Sequence, residues 1–297
     1  RREDGTKIVG KPALELTIEL AKQAGELATK FLKAPHDLEY EKTFWPFILL
    51  SRKRYVGMLY EEDVNKCKRK AMGIVLKRRD NAPIVKDIYG GVIDILMKER
   101  DANAASNFLS QSLDDLACGR VPMNKLVLTK ALRGHYKNPA MIAHKVLADR
   151  MGRRDPGNKP KPGDRIEFVY IKTKKRGALQ GEKIETPAYV KRQKLEIDYD
   201  HYVTNQVMKP VQQVFGLMLE DLAVFKRKYA RRAKVWEAAV DKARRKEESK
   251  STSTSHEEKM RNKEVKELLF ASSLAKIKRA SSGNASIMQF LNKHSGF

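Results

Sequence analysis

Only two of the 297 residues are cysteine, Cys67 and Cys118. Two thiols cannot furnish a structural zinc module built on four thiolates, nor a disulfide framework. Each reads as an ordinary buried or half-exposed thiol in a reducing, intracellular setting. No cysteine follows Cys118, which excludes zinc and iron–sulfur clusters from the C-terminal part. Long apolar runs are also missing, since no stretch approaches the ~20 residues of a spanning helix. The charged opening Arg1-Arg2-Glu3-Asp4 does not read as a signal peptide, and the lack of an initiator methionine suggests a piece of a longer chain. The six histidines (His36, His135, His144, His201, His256 and His294) are scattered without ligand spacing. Neither a glycine-rich phosphate loop nor a nucleophile elbow occurs, so no complete catalytic constellation is expected within this chain. Aromatic residues make up 7% of the chain and are not regularly interleaved among the cations, which argues against a single-strand stacking platform.

What is abundant is positive charge. Sixty-one Lys+Arg against 37 Asp+Glu leave a net +24. A surface that basic calls for an acidic partner, with nucleic acid the first candidate and an anionic membrane the second. A hydrophobic content of 41% is enough for a packed core, and the length corresponds to roughly two domains of about 150 residues each.

The pattern along the chain is mixed. Gly10 and Pro12 open a predicted helix, in which Ala13, Leu16, Leu20, Ala24, Leu27 and Phe31 recur on one face until Pro35. From Leu38 the period changes to two. Phe44 to Leu50 and Tyr55 to Tyr60 have strand composition, with Pro46 suggesting an edge or a bulge. Between them, Arg52-Lys53-Arg54 forms the tip of a predicted hairpin. Beyond about residue 73 the pattern is mainly helical. Asp80-Asn81 is placed to cap a helix through Ile84, Ile88, Val92 and Leu96, with a bend expected at Gly90-Gly91. A second stripe runs through Ala105, Phe108, Leu109, Leu113 and Leu116. Leu126 to Leu128 and Ile166 to Ile171 read as strands around a helix at Ile142 to Leu147, and Met208, Val211, Phe215 and Met218 mark a further amphipathic helix. Lys226 to Lys250 is a charged helix with a thin buried stripe, Ser251 to Ser255 a flexible tract, and Glu264 to Lys278 another short helix.

The cations admit two readings. Clusters such as Lys226-Arg227-Lys228 can be solvated helix faces. A tip aimed by two strands and followed by Tyr55 can instead enter a minor groove and donate to the acceptors present on every base pair; it can equally be an exposed turn. Lys77 to Arg79, Lys130, Arg153-Arg154 and Arg165 sit near element ends, where backbone and side-chain donors meet phosphates together. That suits a protein holding a duplex along its length, or one bound to RNA in a ribosome-like assembly.

Leu38 to Tyr55 followed by Val56-Gly57 resembles the late palm segment of family B DNA polymerases, the delta type in particular. So do Arg78 to Asn81, Leu128 to Lys130, Arg154 to Pro156, Gly163 to Ile166, Ile197-Asp198, Tyr202, Gln206 and Lys209-Pro210, in family order. The resemblance covers about residues 8 to 220 and is similar in wording to the enzymes of large DNA viruses of eukaryotes. It implies an α+β fold: the end of a palm (1–73) with antiparallel strands and a helix, a mainly helical thumb (74–225), a charged helical extension and linker (226–280), and a tail (281–297). By the same resemblance Arg52, Lys53, Arg54 and Tyr55 would probe new base pairs from the minor groove. Arg79, Lys130, Arg154 and Arg165 would hold the duplex backbone. Glu41 would match a glutamate able to bind an accessory Mg2+, its alternative being a strand glutamate paired with Lys42 or a nearby arginine. The catalytic aspartates, which bind two Mg2+ ions, precede this segment in the family and are not in this chain. Primer–template DNA and deoxynucleoside triphosphates are the implied partners of the whole enzyme, in the nucleus or a viral replication compartment, with no membrane. The rival reading is a non-catalytic, basic nucleic-acid-binding or scaffold protein related to polymerases. Asn284, Ile287, Phe290 and Leu291 have the spacing of a peptide that plugs a sliding clamp, although any short helix also yields such a trio.

Overall fold

The computed structural model describes residues 5–77, 80–173, 175, 177–245 and 256–281. The fold is mixed α+β, with small antiparallel sheets and many helices. The chain divides into two compact units, Arg1–Lys77 and Arg78–Phe297.

The first unit packs helix α1 (Lys11–Thr29) against a three-stranded antiparallel sheet of β1 (Thr43–Ser51), β2 (Arg54–Tyr60) and β3 (Cys67–Met72), in that order. Pro46 lies on an edge strand and inside a register shift between Phe44 and Phe47, so it satisfies both conditions under which a sheet tolerates proline. The expected stripe of α1 is not the buried one. Leu14, Ile18 and Gly25 face inward, while Leu16, Leu20, Leu27 and Phe31 are exposed. The segment after the helix sets this rotation. Leu38 O lies where a Cβ on Gly25 would come within 2.7 Å, and Leu38 N–H donates to Thr29 Oγ1 at 2.9 Å. Leu38 to Lys42 form no strand, and β1 begins only at Thr43. Tyr40 ties this segment down by donating to the Glu61 carbonyl at 2.9 Å.

In the second unit, α2 (Pro83–Lys98) and α3 (Ala102–Ala117) form the central pair. Asp101 caps α3 by accepting from Asn103 and Ala104 N–H, and Leu109, Leu113 and Leu116 are fully buried. Asp80 and Asn81 do not cap α2. Its N-cap is Ala82, with Pro83 at the first helical position, and Asp80 instead pairs with Lys130. Gly90-Gly91 does not interrupt the helix. A Cβ on Gly91 would lie 2.3 Å from Phe108, so the glycine lets the α3 ring rest on the α2 backbone.

β4 (Leu128–Ala131) pairs with β5 (Arg165–Tyr170), and β5 with β6 (Ile184–Glu185), all antiparallel. Helix α4 (Ala143–Arg154) lies against β5 and β6, and the short α5 (Pro187–Gln193) follows β6. A single turn, α6 (Tyr199–His201), continues through a π-helical stretch into α7 (Met208–Leu217). The expected charged helix from Lys226 is two helices, α8 (Ala223–Tyr229) and α9 (Ala233–Arg245), because Phe225 and Trp236 must fold back to meet at 5.1 Å. α10 (His256–Val265) and α11 (Ala271–Ser281), joined by a π-helical turn, return to pack on α7 and α3. Val265 and Phe270 are wholly buried there. Among the described residues no helix is long and apolar enough to cross a membrane.

Candidate nucleic-acid interface

The hairpin between β1 and β2 closes through Arg52 and Lys53, both exposed, with Lys53 at φ 61°. Gly73 explains how the tip holds its shape: a Cβ there would lie 2.2 Å from Lys53 O, so only glycine lets the end of β3 pass under the turn. Arg54 and Tyr55 are half-buried at the start of β2. Tyr55 sits opposite Leu49 and Met72, and its ring meets Phe44 at 5.8 Å and Phe47 at 5.5 Å. The aromatic cluster anchors the base of the hairpin while two cations crown it. Strand β3 adds Lys68, Arg69 and Lys70, all exposed, which were not anticipated as strand residues. Cations on an edge strand also discourage pairing with a second chain.

Glu41 lies just before β1 with its carboxylate exposed and hydrogen-bonded by Lys42. Among the described residues no group of three or more His, Cys, Asp or Glu could hold a metal ion. Glu41 belongs to no such group among the described residues.

In the second unit, the register puts Lys130 opposite Ile166, and Ala131 opposite Arg165. Alternation then separates the two predicted contacts. Lys130 shares the face of Leu128, Ile166 and Phe168, all three buried, and its ammonium reaches Asp80 at 3.0 Å. Arg165 is exposed on the other face, where it donates to Thr129 Oγ1 at 2.7 Å.

Arg154 ends α4. Its guanidinium lies 3.7 Å from the Tyr189 ring centroid and donates to Glu185 Oε2 at 3.0 Å. Glu185 is 3% exposed and also pairs with Arg150 at 3.3 Å, while Arg150 donates to Ile184 O at 2.6 Å. Arg165 borders a cleft of about 890 Å³ together with Lys159 and Lys161. Arg154 borders one of about 300 Å³ with Arg192, and the two clefts share Met151, Asn158, Thr186 and Ala188. The fold thus brings Arg154 and Arg165 to one region and adds Lys159, Lys161 and Arg192, which the sequence reading had not singled out. The signal for the two lysines in the sequence is the Pro/Gly-rich composition of residues 156–163. Arg79, Asn284, Ile287, Phe290 and Leu291 lie outside the described residues.

Comparison with known proteins gives the family. The model of DNA polymerase family B matches residues 8–218, more than half of the chain. The chain belongs to that family. It is 46% identical over 287 residues to a DNA polymerase of Pyramimonas orientalis virus, covering 96% of this chain and 24% of the relative. It is 47% identical over 234 residues to a DNA polymerase of Acanthamoeba polyphaga mimivirus, covering 76% of this chain and 13% of the relative. To the DNA polymerase delta catalytic subunit of Candida albicans it is 36% identical over 206 residues, 69% of this chain and 20% of the relative. The chain therefore spans a quarter or less of the length of these relatives. Helices α8 to α11 lie beyond the family match.

Proposed function

We propose that this chain is the duplex-holding, C-terminal part of a replicative, template-directed DNA polymerase. In this reading the first unit is the end of the palm, the second is the thumb to about residue 225 with a charged helical extension, and residues 281–297 reach a sliding clamp. One observation carries it: in a chain of family B, the exposed Arg52–Lys53 pair crowns a hairpin braced by Gly73 and an aromatic base. Donors held at a fixed height can meet the minor-groove acceptors that every correct pair presents in the same place, so they sense pair geometry without reading sequence. Arg54 and Tyr55 would set the height of those donors. Arg79, Lys130, Arg154 and Arg165 would hold backbone phosphates, whose contacts fix register but carry no sequence information.

The whole enzyme would join deoxynucleoside triphosphates to a primer end, in the nucleus or in a viral replication compartment. Mg2+, bound mostly outside this chain, would activate the primer hydroxyl and neutralise the departing pyrophosphate. Glu41 would at most complete such a site. What this chain's own residues do is hold, orient and check the product duplex.

The test is equilibrium binding of the purified chain to a recessed primer–template, a blunt duplex and unstructured RNA. Preference for the primer–template is expected, with affinity falling roughly 10³–10⁵-fold between about 50 and 200 mM salt for about 6–10 phosphate contacts. No incorporation of nucleotides is expected from this chain alone. Equal binding of RNA, or a salt-insensitive interaction, would overturn the reading.

A further inference from the structure

Helices α8 and α9 meet at a corner that lies beyond the family match. Residues 226–234 carry six cations (Lys226, Arg227, Lys228, Arg231, Arg232 and Lys234) and no acid, and all six are exposed. Two of them have partners or acidic neighbours within the fold. Lys228 donates to Glu264 at 2.6 Å and to Glu267 at 3.3 Å, and Lys226 borders a cleft that Glu237 and Asp241 also line. The other four differ. Among the described residues no hydrogen bond or ion pair engages the side chains of Arg227, Arg231, Arg232 or Lys234, and none of the four lines that cleft.

The fold turns these cations outward and holds them there. Phe225 and Trp236 are buried with Tyr229 against them, the ring centroids lying 4.6 to 5.2 Å apart. Arg227 is two residues from both Phe225 and Tyr229, and Lys234 two from Trp236, so each stands about 160° around its helix from the inward rings. Between the helices, Arg232 N–H donates to the Tyr229 carbonyl at 2.9 Å and Val235 N–H to the Arg232 carbonyl at 3.0 Å, which closes the turn. Stability does not account for the placement. Cations suit the last turn of α8, whose end is the negative pole of its dipole, but Arg231, Arg232 and Lys234 gather at the positive end of α9, whose first turn has no acid. Crowding of like charges there opposes folding until an anion meets it.

We propose that this corner is an additional phosphate-binding surface for duplex DNA, supplied by the segment outside the family match. Three of the four outward cations are arginines, whose planar fork takes two oxygens of one phosphate. Tyr229, the one aromatic among residues 226–234, belongs to the ring cluster, so the corner offers no platform on which the bases of a single strand would stack. Contacts of this kind reach the backbone alone and add affinity without sequence preference. A guanidinium fork also suits carboxylates. The choice of phosphate rests on the duplex-holding reading of the rest of the chain.

The experiment titrates a fluorescent primer–template with the full chain between about 50 and 200 mM salt. The corner variant combines Arg227→Gln, Arg231→Gln and Arg232→Gln; the control combines Lys7→Gln, Lys30→Gln and Lys33→Gln, three exposed cations of the first unit. The corner variant is expected to lower the slope of log affinity against log salt by about 2–3, with its unfolding midpoint in place, and the control to leave the slope as it was. Lysine at the same three corner positions keeps the charge and is expected to restore the slope. Should the triple variant fail to fold, Arg231→Gln alone is expected to lower the slope by about 1. A steep slope in the unsubstituted chain that the corner variant keeps would remove the corner and leave the duplex-holding reading intact; an equal fall in the control would reduce the effect to net charge and overturn the proposal. Loss of poly-glutamate binding with the DNA slope retained would assign the corner to an acidic protein instead. Absent or salt-insensitive primer–template binding by the unsubstituted chain would overturn both the proposal and the reading beneath it.

Discussion

The guanidinium of Arg154 lies over the Tyr189 ring of α5, 3.7 Å from its centre. This stacking, with the Glu185 bond, fixes an arginine that ends a helix and would otherwise be free to swing. Arg154 is thus held in one geometry by its own fold.

That geometry depends on a buried anion. Glu185 is the shared counterion of Arg150 and Arg154 and also accepts from Thr186 N–H at 3.0 Å. Glu185→Ala strands two partly buried cations, and removing one partner of such a pair costs about 3 kcal/mol. Glu185→Gln, which retains an acceptor, is expected to cost less. Urea denaturation of both variants checks the order; equal stability of Ala variant and parent would show the triad to be slack.

A pH dependence follows from His201. Its ring stacks on Tyr170 with centroids 3.5 Å apart, and burial pushes its pKa from 6.5 down to about 4, with Asp198 opposing the shift and Lys183 and Lys209 adding to it. Between those values the unfolded chain binds the proton and the folded one does not, so stability rises with pH. It is lost as pH falls from about 6.5 and levels off below about 4. The loss amounts to about 1–2 kcal/mol once the partial exposure of the ring is discounted. His201→Gln is expected to flatten this part of the curve. Thermal midpoints measured from neutral pH down to pH 4 for both proteins check it, since carboxylate titration is common to the two.

How much of this was legible before folding depends on whether the cause was local. The α3 stripe of Leu109, Leu113 and Leu116, its Asp101 cap, and the Pro46 bulge are written in short-range pattern. Helix α1 was misread because it carries two apolar stripes, and periodicity cannot say which one Leu38 will lie across. Strand β3 escaped notice because Lys68, Arg69 and Lys70 hide the alternation, leaving Ala71 as its one buried residue. The site residues divide the same way. The Arg52–Lys53 turn is local, whereas the gathering of Arg154 with Glu185 joins residues 31 positions apart. Lys130 and Arg165 look equivalent in sequence, and only the strand register puts them on opposite faces.

The segment beyond the family match is integral to the second unit. Phe270 is wholly buried between α10 and α11, and Lys276 bonds Asp114 of α3 at 2.8 Å. Phe270→Ala is expected to cost about 3–5 kcal/mol. Chemical denaturation should show a single transition at lower denaturant rather than a separate early step. A separate step would mean that the C-terminal helices fold on their own.

The face of Arg165 gives the sharpest test of duplex holding. Each cation that neutralises a phosphate contributes about 0.9 to the slope of log affinity against log salt. Arg165 is exposed and, among the described residues, hydrogen-bonded to Thr129, so it can turn to a phosphate at little cost. Arg165→Ala is expected to weaken primer–template binding about equally across sequences and to lower the slope by about 1. Lys130 must first give up Asp80, so Lys130→Ala is expected to lower stability as well as affinity and to change the slope less. Salt titrations of the two variants separate these effects. An unchanged slope in Arg165→Ala would remove this face from the grip and leave the hairpin of the first unit to account for binding.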